Sequence, residues 1–336
     1  MLEFRYKRDQ PLGQLAAALA QALRWEQAEA VIRTIEDSNE RAGALGQLAT
    51  ALAQAQQWER AEAVIRTIED SKERARALGQ LAAALAQAQH WERAETIWTE
   101  AQAVIRTIKY KGGRAMMLIE LGAALAQAQQ WEQAEAVWTE AQTVIHTLED
   151  IEEQVELLVA LGTALMQGQR WEQAEAVIRT IEFSEEQAEA LGQLGAALTQ
   201  AQQWERAEAI WTEAQAVIRT IEDSNERAGA LGQLAAALAQ AQHWERAEAV
   251  IRTLEDSEEE DSEERTEALE ELARIMAVAG ENEHLLRFIQ RFWLLASTRD
   301  DALSLFSLAT EFIPCNPELG LALHEAFTWV DSFLQG

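Results

Sequence analysis

The sequence predicts an all-α protein, a right-handed solenoid of about nine stacked helical hairpins. Three observations predict it. Tryptophan recurs at positions 25, 58, 91, 131, 171, 204 and 244, with spacings of 33, 33, 40, 40, 33 and 40 residues. Periods of this length belong to helical repeat arrays. Within each period apolar residues step by three or four, the spacing of one helix face. Finally, a chain of 336 residues rich in Ala, Gln and Glu carries only 3 prolines and 16 glycines, which favours helix over strand.

The first ten residues, MLEFRYKRDQ, read as an arm, and the first helix as beginning at Pro11. The run FRYKRDQPLGQLAAALAQAL imitates a secretory leader. However, LGQLAAALAQA at 12–22 recurs letter for letter at 78–88 and 231–241, so this is a repeat helix. In ALGQLATALAQAQQWERAEAVIRTIEDS, Leu45, Leu48 and Leu52 form the stripe of a helix A, while Trp58, Ala61, Ile65 and Ile68 form that of a helix B. The two join at AQAQQ. Asp37 with Glu40, Asp70 with Glu73 and Asp223 with Glu226 stand at capping-box spacing in the connection to the next helix A.

The 40-residue periods contain a duplicated heptad. WTEAQAVIRTI from Trp98 repeats the grammar of WERAEAVIRTI from Trp58, and Trp138 and Trp211 mark the same event elsewhere. Seven residues are nearly two turns, so the apolar face drifts by only about 20°. The helix lengthens by roughly 10 Å and keeps Trp91, Ala94, Trp98, Ala101, Ile105 and Ile108 on one side. The insertion reads as structural lengthening. EDSEEEDSEE at 255–264 is another duplication, a solvated loop lacking the spaced ligands and central glycine of a calcium loop.

From about residue 281 the pattern decays. Asn282 takes the tryptophan slot, and six of the eight phenylalanines lie between 288 and 333. The expected organisation is therefore an arm at 1–10, a repeat array at 11–280 and two divergent capping hairpins at 281–336, with a partner-binding module as the competing reading of the last segment.

Composition excludes several functions. With 28 basic against 57 acidic residues and a net charge of −29, the chain is ill suited to neutralise phosphates, so neither nucleic acid nor an anionic membrane surface is an expected partner. No apolar run of transmembrane length occurs. A single cysteine, Cys315, fits a reducing cytoplasm.

The unit resembles the tetratricopeptide repeat (TPR) family. Leu45, Leu48, Ala49, Leu52, Trp58, Ala61, Ile65 and Ile68 fall in that pattern's slots, and Gly122, Gly162 and Gly195 supply its small glycine. The resemblance covers residues 11–280. The usual proline after helix B is missing, and Gln56 stands where the family often has glycine, so helix A is expected to start earlier and run longer. The units are similar to bacterial sensor arms of STAND-type signalling NTPases. The resemblance implies that helix A lines a concave groove, which gives two rows of candidate binding glutamines. One contains Gln47, Gln80, Gln193 and Gln233; the other contains Gln54, Gln87, Gln127, Gln200 and Gln240. The same amides are also good exposed helix formers. The Lys/Asn/Arg set by which some family members clamp a carboxylate is missing, and only Arg76 is basic in these slots.

Other candidates read as structural. The tryptophans, with alanine three residues on, are expected to fill hairpin cores rather than to serve as stacking platforms. Arg33, Arg66, Arg179 and Arg252 follow Glu29, Glu62, Glu175 and Glu248 by four residues, an ordinary helical ion-pair spacing. His90, His146 and His243 are scattered replacements rather than a metal or acid–base centre. Cys315 and His324 lack an orienting third residue. No catalytic residue, metal or cofactor is expected. Leu12, Leu15, Leu19 and Leu23 form a stripe on a first helix without a preceding B helix, a candidate interface for an upstream hairpin or, in isolation, a second copy forming a homodimer. The expected function is non-catalytic protein or peptide recognition, as a scaffold or a ligand-sensing arm of bacterial signalling. The alternative is a self-assembling array without a specific ligand, favoured by the identity of IEDSNERAGALGQLA at 35–49 and 221–235.

Overall fold

Helix A owes its start to an aspartate and its end to a left-handed residue. The Asp37 carboxylate accepts the N–H groups of Asn39 at 2.9 Å and Glu40 at 3.0 Å. Asp70, Asp150 and Asp223 take the third amide of their own helices in the same way, which satisfies donors that have no partner inside a helix. At the other end Gln56 sits at φ 57°, and the pattern recurs at Leu23, Gln89, Gln129, Gln169, Gln202 and Gln242. Gln56 N–H bonds the Ala53 carbonyl at 2.9 Å and Gln57 N–H the Leu52 carbonyl at 2.8 Å, the bond pair of a Schellman motif. Glycine ordinarily occupies such a position; here it is filled without one.

The computed structural model describes residues 2–255 and 274–275. Among these there are fourteen helices and no strand. The molecule divides into two compact units, Met1–Val177 and Ile178–Gly336. The first contains α1 (Leu2–Gln21), α2 (Trp25–Ile32), α3 (Ser38–Gln54), α4 (Trp58–Ile65), α5 (Ser71–Gln87), α6 (Trp91–Arg106), α7 (Lys111–Gln127), α8 (Trp131–Ile145) and α9 (Ile151–Gln167), and ends within α10 (Trp171–Ile178). The second contains α11 (Ser184–Gln200), α12 (Trp204–Ile218), α13 (Ser224–Gln240) and α14 (Trp244–Glu255). Odd-numbered helices are the A helices. In the first unit α3 packs on α1, α2, α4 and α5, and this neighbour relation steps forward hairpin by hairpin through α9. In the second, α13 packs on α11, α12 and α14. Each unit is thus a stack of TPR-like hairpins, with A helices in contact with A helices. From α3 to α13 every A helix has 17 residues. The inserted heptads appear as B helices of 16, 15 and 15 residues, against 8 in α2, α4 and α10.

Two expectations need correction. The arm at 1–10 is not separate from the first helix: α1 begins at Leu2 and passes through Pro11. An interior proline costs about 3 kcal/mol. Pro11 faces solvent, and the segment before it is anchored by Asp9. That side chain is buried, and its carboxylate accepts the N–H groups of Glu36 at 3.1 Å and Asp37 at 2.8 Å. Alanine fills the corresponding slot at Ala42 and Ala75.

The second correction concerns the tryptophans. Most of the repeating series does not fill the core: Trp91, Trp131 and Trp204 are 49%, 38% and 53% exposed, Trp25, Trp58 and Trp171 are half-buried, and of the seven Trp244 alone is buried. Each opens a B helix, where the Cα–Cβ bond tilts back toward the N-terminus and carries the ring over the A–B turn. The next hairpin covers some of these rings only partly, with His90 edge-on to Trp58 at 6.0 Å and the Arg170 guanidinium 4.8 Å from the Trp131 ring. Besides Trp244, the buried tryptophans among the described residues are those of the inserted heptads, Trp98, Trp138 and Trp211. Trp138 and Trp211 press on glycines of their own helix A. A Cβ at Gly122 would lie 2.3 Å from the Trp138 Nε1, and one at Gly195 would lie 2.2 Å from the Trp211 Nε1. The indole N–H groups of Trp98, Trp138 and Trp211 are buried without a hydrogen-bond partner.

Consecutive B helices are also joined by ion pairs. Arg93 meets Glu62 at 2.7 Å, Arg106 meets Glu140 at 3.0 Å and, in the second unit, Arg179 meets Glu213 at 2.7 Å. The expected pairs Arg33–Glu29 and Arg66–Glu62 form at 3.2 and 3.4 Å; the Arg252 side chain lies outside the described residues. Such exposed pairs contribute little each. The capping hairpins expected at 281–336, the acidic duplication beyond Glu255, Cys315 and His324 also lie outside the described residues.

Candidate functional site

The A helices carry small residues where they approach one another, and three cavities are lined by A helices alone, whereas another, of 420 Å³, is bordered by α2, α3 and α4. In the first unit a cavity of 550 Å³ lies over α1, α3 and α5, bordered by Gln21, Gly43, Gly46, Gln47, Gln54 and Gln80. A second, of 510 Å³, continues it along α1 with Gly13, Gln14 and Gln47. A third, of 320 Å³, continues it toward α7 with Gln80, Glu120 and Gln127. Polar residues here sit on rigid helices, the arrangement that holds a binding constellation in place.

Gln47, Gln54, Gln80, Gln87 and Gln127 are all exposed on this unit's A helices. Four of the five border the cavities, and Gln87 does not. The Gln80 amide oxygen accepts the Thr50 hydroxyl. Gln193 and Gln200 on α11 and Gln233 and Gln240 on α13 are likewise exposed in the second unit, with Gln193 Nε2 donating to Glu189 at 3.0 Å. Leu12 and Leu19 on α1 are partly exposed and Leu15 is 49% exposed, whereas Leu48 and Leu52, their counterparts on α3, are buried.

The trough holds one cation, Arg76, among three acids, Glu40, Glu73 and Glu120. Arg76 grips Glu120 with two bonds of 2.8 and 2.9 Å and reaches Glu73 at 2.5 Å. Hydrogen bonding to Glu120 raises its pKa further above the ordinary arginine value, so it stays charged. A guanidinium held by two carboxylates has little capacity left to clamp a ligand's carboxylate. The trough instead offers amides that donate and accept, which suits the main chain of an extended peptide.

Among the described residues no group of three His, Cys, Asp or Glu side chains is placed to hold a metal ion, and no helix is long and apolar enough to cross a membrane. In the second unit His243 packs edge-on against Trp211 at 4.6 Å, where burial lowers its pKa and it covers a core ring. Sequence reasoning missed Asp9 and the junction before α7, where KYKGG replaces EDSNE. Aligning position 9 with 42, and 109–113 with 36–40, exposes both.

No family model and no curated protein matches the chain. Among solved structures it is similar to Ton1535 from Thermococcus onnurineus NA1, with 16% identity over 89% of this chain and 99% of that one and a TM-score of 0.45. It is also similar to a Rap protein complexed with competence and sporulation factor, at 12% identity over 98% of this chain and 99% of that one, TM-score 0.32. A third likeness is to pilF of Pseudomonas aeruginosa, at 14% identity over 72% of this chain and 100% of that one, TM-score 0.28. None of these likenesses bears on function.

Proposed function

We propose that the chain is a non-catalytic protein-recognition scaffold that holds an extended peptide segment along its A helices, as the ligand-sensing arm of a bacterial signalling system in the cytoplasm. The observation that carries this reading is the glutamine-lined trough, which includes a cavity of 550 Å³ and whose Arg76 is already held by two carboxylates. A photo-crosslinking residue at Gln54 or Gln80 tests it. A partner captured from those positions, and not from Thr67 on the opposite side of the hairpin, is the expected result. Equal capture from both faces, or capture from neither, would refute the reading.

A second reading, self-assembly, draws on one observation. Leu15 and Leu23 are 49% and 65% exposed, apolar surface that a second copy would cover. Sedimentation across a concentration series decides it: association abolished by Leu15→Glu supports self-assembly, and a monomer at every concentration removes it.

A further inference from the structure

α2 and α4 are consecutive B helices, and among the described residues no other consecutive pair is short on both sides. Each has 8 residues, whereas α10, also of 8, follows α8 and precedes α12, of 15 residues each. The 420 Å³ cleft lies between α2, α3 and α4 and shares no lining residue with the trough cavities. Its apolar part is made by Ile32 and Val64, both buried, and by Leu45, half-buried. Its charged part is three arginines, Arg33, Arg41 and Arg60, beside one acid, Glu29. Glu29 is shared between Arg33 at 3.2 Å and Arg60 at 3.7 Å, and Arg41 donates to the Ile35 carbonyl at 3.2 Å. The two acids of α4, Glu59 and Glu62, pair with Arg93 of α6 at 3.1 and 2.7 Å. Three guanidiniums against one carboxylate make this a positive spot on a chain of net charge −29.

Two other places in the array show what such an arginine takes when the next B helix is long. Arg179 is gripped by Glu213 of α12 with two bonds of 2.7 Å, and Arg106 by Glu140 of α8 with bonds of 3.1 and 3.0 Å. Arg33 corresponds to Arg179, each standing eight residues after the tryptophan of its repeat, Trp25 or Trp171. Glu213 and Glu140 stand nine residues after Trp204 and Trp131, and the residue nine after Trp58 is Thr67. α4 ends at Ile65, before that position, and the Thr67 hydroxyl donates to the Val64 carbonyl at 2.6 Å. Arg33 therefore meets an uncharged cleft wall where Arg179 and Arg106 each meet a carboxylate.

We propose that this cleft binds a small amphiphilic carboxylic acid. The ligand's carboxylate takes beside Arg33 the place that Glu213 takes beside Arg179, and its aliphatic or aromatic body lies against Ile32, Leu45 and Val64. Planar guanidiniums match a carboxylate with charge-assisted bonds, and the apolar wall supplies the area that a lone carboxylate could not use. A volume of 420 Å³ falls within the roughly 300–1,000 Å³ of small-ligand sites, in which a few polar groups set orientation and apolar surface does the rest. The site is independent of the glutamine trough, and either can exist without the other.

Isothermal titration calorimetry with octanoate, octylammonium, octanol and acetate tests it. The wild-type chain is expected to bind octanoate about tenfold or more tightly than the other three, and more weakly as salt rises from about 0.05 to about 0.3 M. Glu29→Gln removes the carboxylate that competes for Arg33 and Arg60 and should tighten octanoate binding severalfold, a gain that misfolding cannot produce. Thr67→Glu supplies the carboxylate from the chain itself, as Glu213 does, and should weaken octanoate binding about tenfold or more. Helical circular dichroism unchanged from wild type shows that this variant is folded. Equal binding of octanoate and octylammonium, no gain in Glu29→Gln, or unaltered binding by folded Thr67→Glu would overturn the proposal. A short peptide ending in a free leucine carboxylate that binds more tightly than octanoate would overturn it as well, since the occupant would then be a chain terminus.

Discussion

Two tryptophans seven residues apart on one helix, Trp204 and Trp211, should differ in what they contribute to stability. Trp211 is fully buried against Gly195, and Trp204 is 53% exposed. An aromatic side chain covers about 200 Å², which at about 25 cal/mol per Å² is about 5 kcal/mol when fully buried. Compactness of the unfolded chain trims that by roughly a quarter, to about 4 kcal/mol for Trp211 and about 2 kcal/mol for Trp204. The Trp211 indole N–H is buried without a partner, and removing an unsatisfied donor returns about 1 kcal/mol. Trp211→Ala should therefore cost about 3 kcal/mol and Trp204→Ala about 1–2 kcal/mol. Urea unfolding followed by helical circular dichroism measures both, with unchanged slopes as the check that cooperativity survives. A steric arm sharpens the test. Gly195→Ala adds a methyl 2.2 Å from the indole nitrogen and should cost about 1–3 kcal/mol. Gly195→Ala/Trp211→Ile copies the Ala49 and Ile65 of a short hairpin, and its cost should fall below the sum of the single changes. A loss on Trp204→Ala equal to that on Trp211→Ala, or strict additivity of the pair, would refute this account of the core.

Three further outcomes are expected. Gln56→Gly should raise stability by about 0.5–1 kcal/mol, because it relieves a left-handed residue at φ 57°, whereas Ala55→Gly, at φ −83°, should lower it; thermal midpoints distinguish them. Asp9→Ala leaves the Glu36 and Asp37 amides without their acceptor and should cost about 2 kcal/mol, with faster hydrogen exchange at those two amides; Asp9→Asn, which keeps an acceptor oxygen, should cost less. Burial lowers the His243 pKa, so the unfolded state takes up the proton first, and the stability present above pH about 6.5 is lost as pH falls through the folded-state value. His243→Gln, the residue found at Gln57 and Gln130, should flatten stability between about pH 7 and 5.

The repeat frame, the hairpins, the aspartate caps and the lengthened B helices were legible because they rest on periodicity and capping chemistry, both local. The glutamine rows came instead from the family resemblance, and those residues are exposed on the A helices. What periodicity does not encode is depth along the stack. Trp204 and Trp211 share a helical face, yet one sits over a turn and the other two turns inside, and only the glycine opposite, Gly195, marks the difference. Gln56 gave no sign of its left-handed backbone, because the residue type usually reporting that geometry is absent. Asp9 looked like one more acid in a charged arm until its two backbone donors, 27 and 28 residues away, came into place.

The match between ring and glycine also bears on how such a chain avoids assembling wrongly. Residues 35–49 and 221–235 are identical, so a nascent array risks docking a hairpin onto the wrong neighbour, a hazard of repeat proteins. Trp138 is held from two sides, by Gly122 of its own hairpin and by Gly168 of the next, where a Cβ would lie 2.7 Å from the ring. The corresponding turn residue is alanine at 55, 88, 128, 201 and 241. Trp98 and Trp211 are nevertheless buried with successors that carry Ala128 and Ala241 at that corner. Gly168 therefore fits the Trp138 ring to its own successor, and alanine is not barred from every such corner.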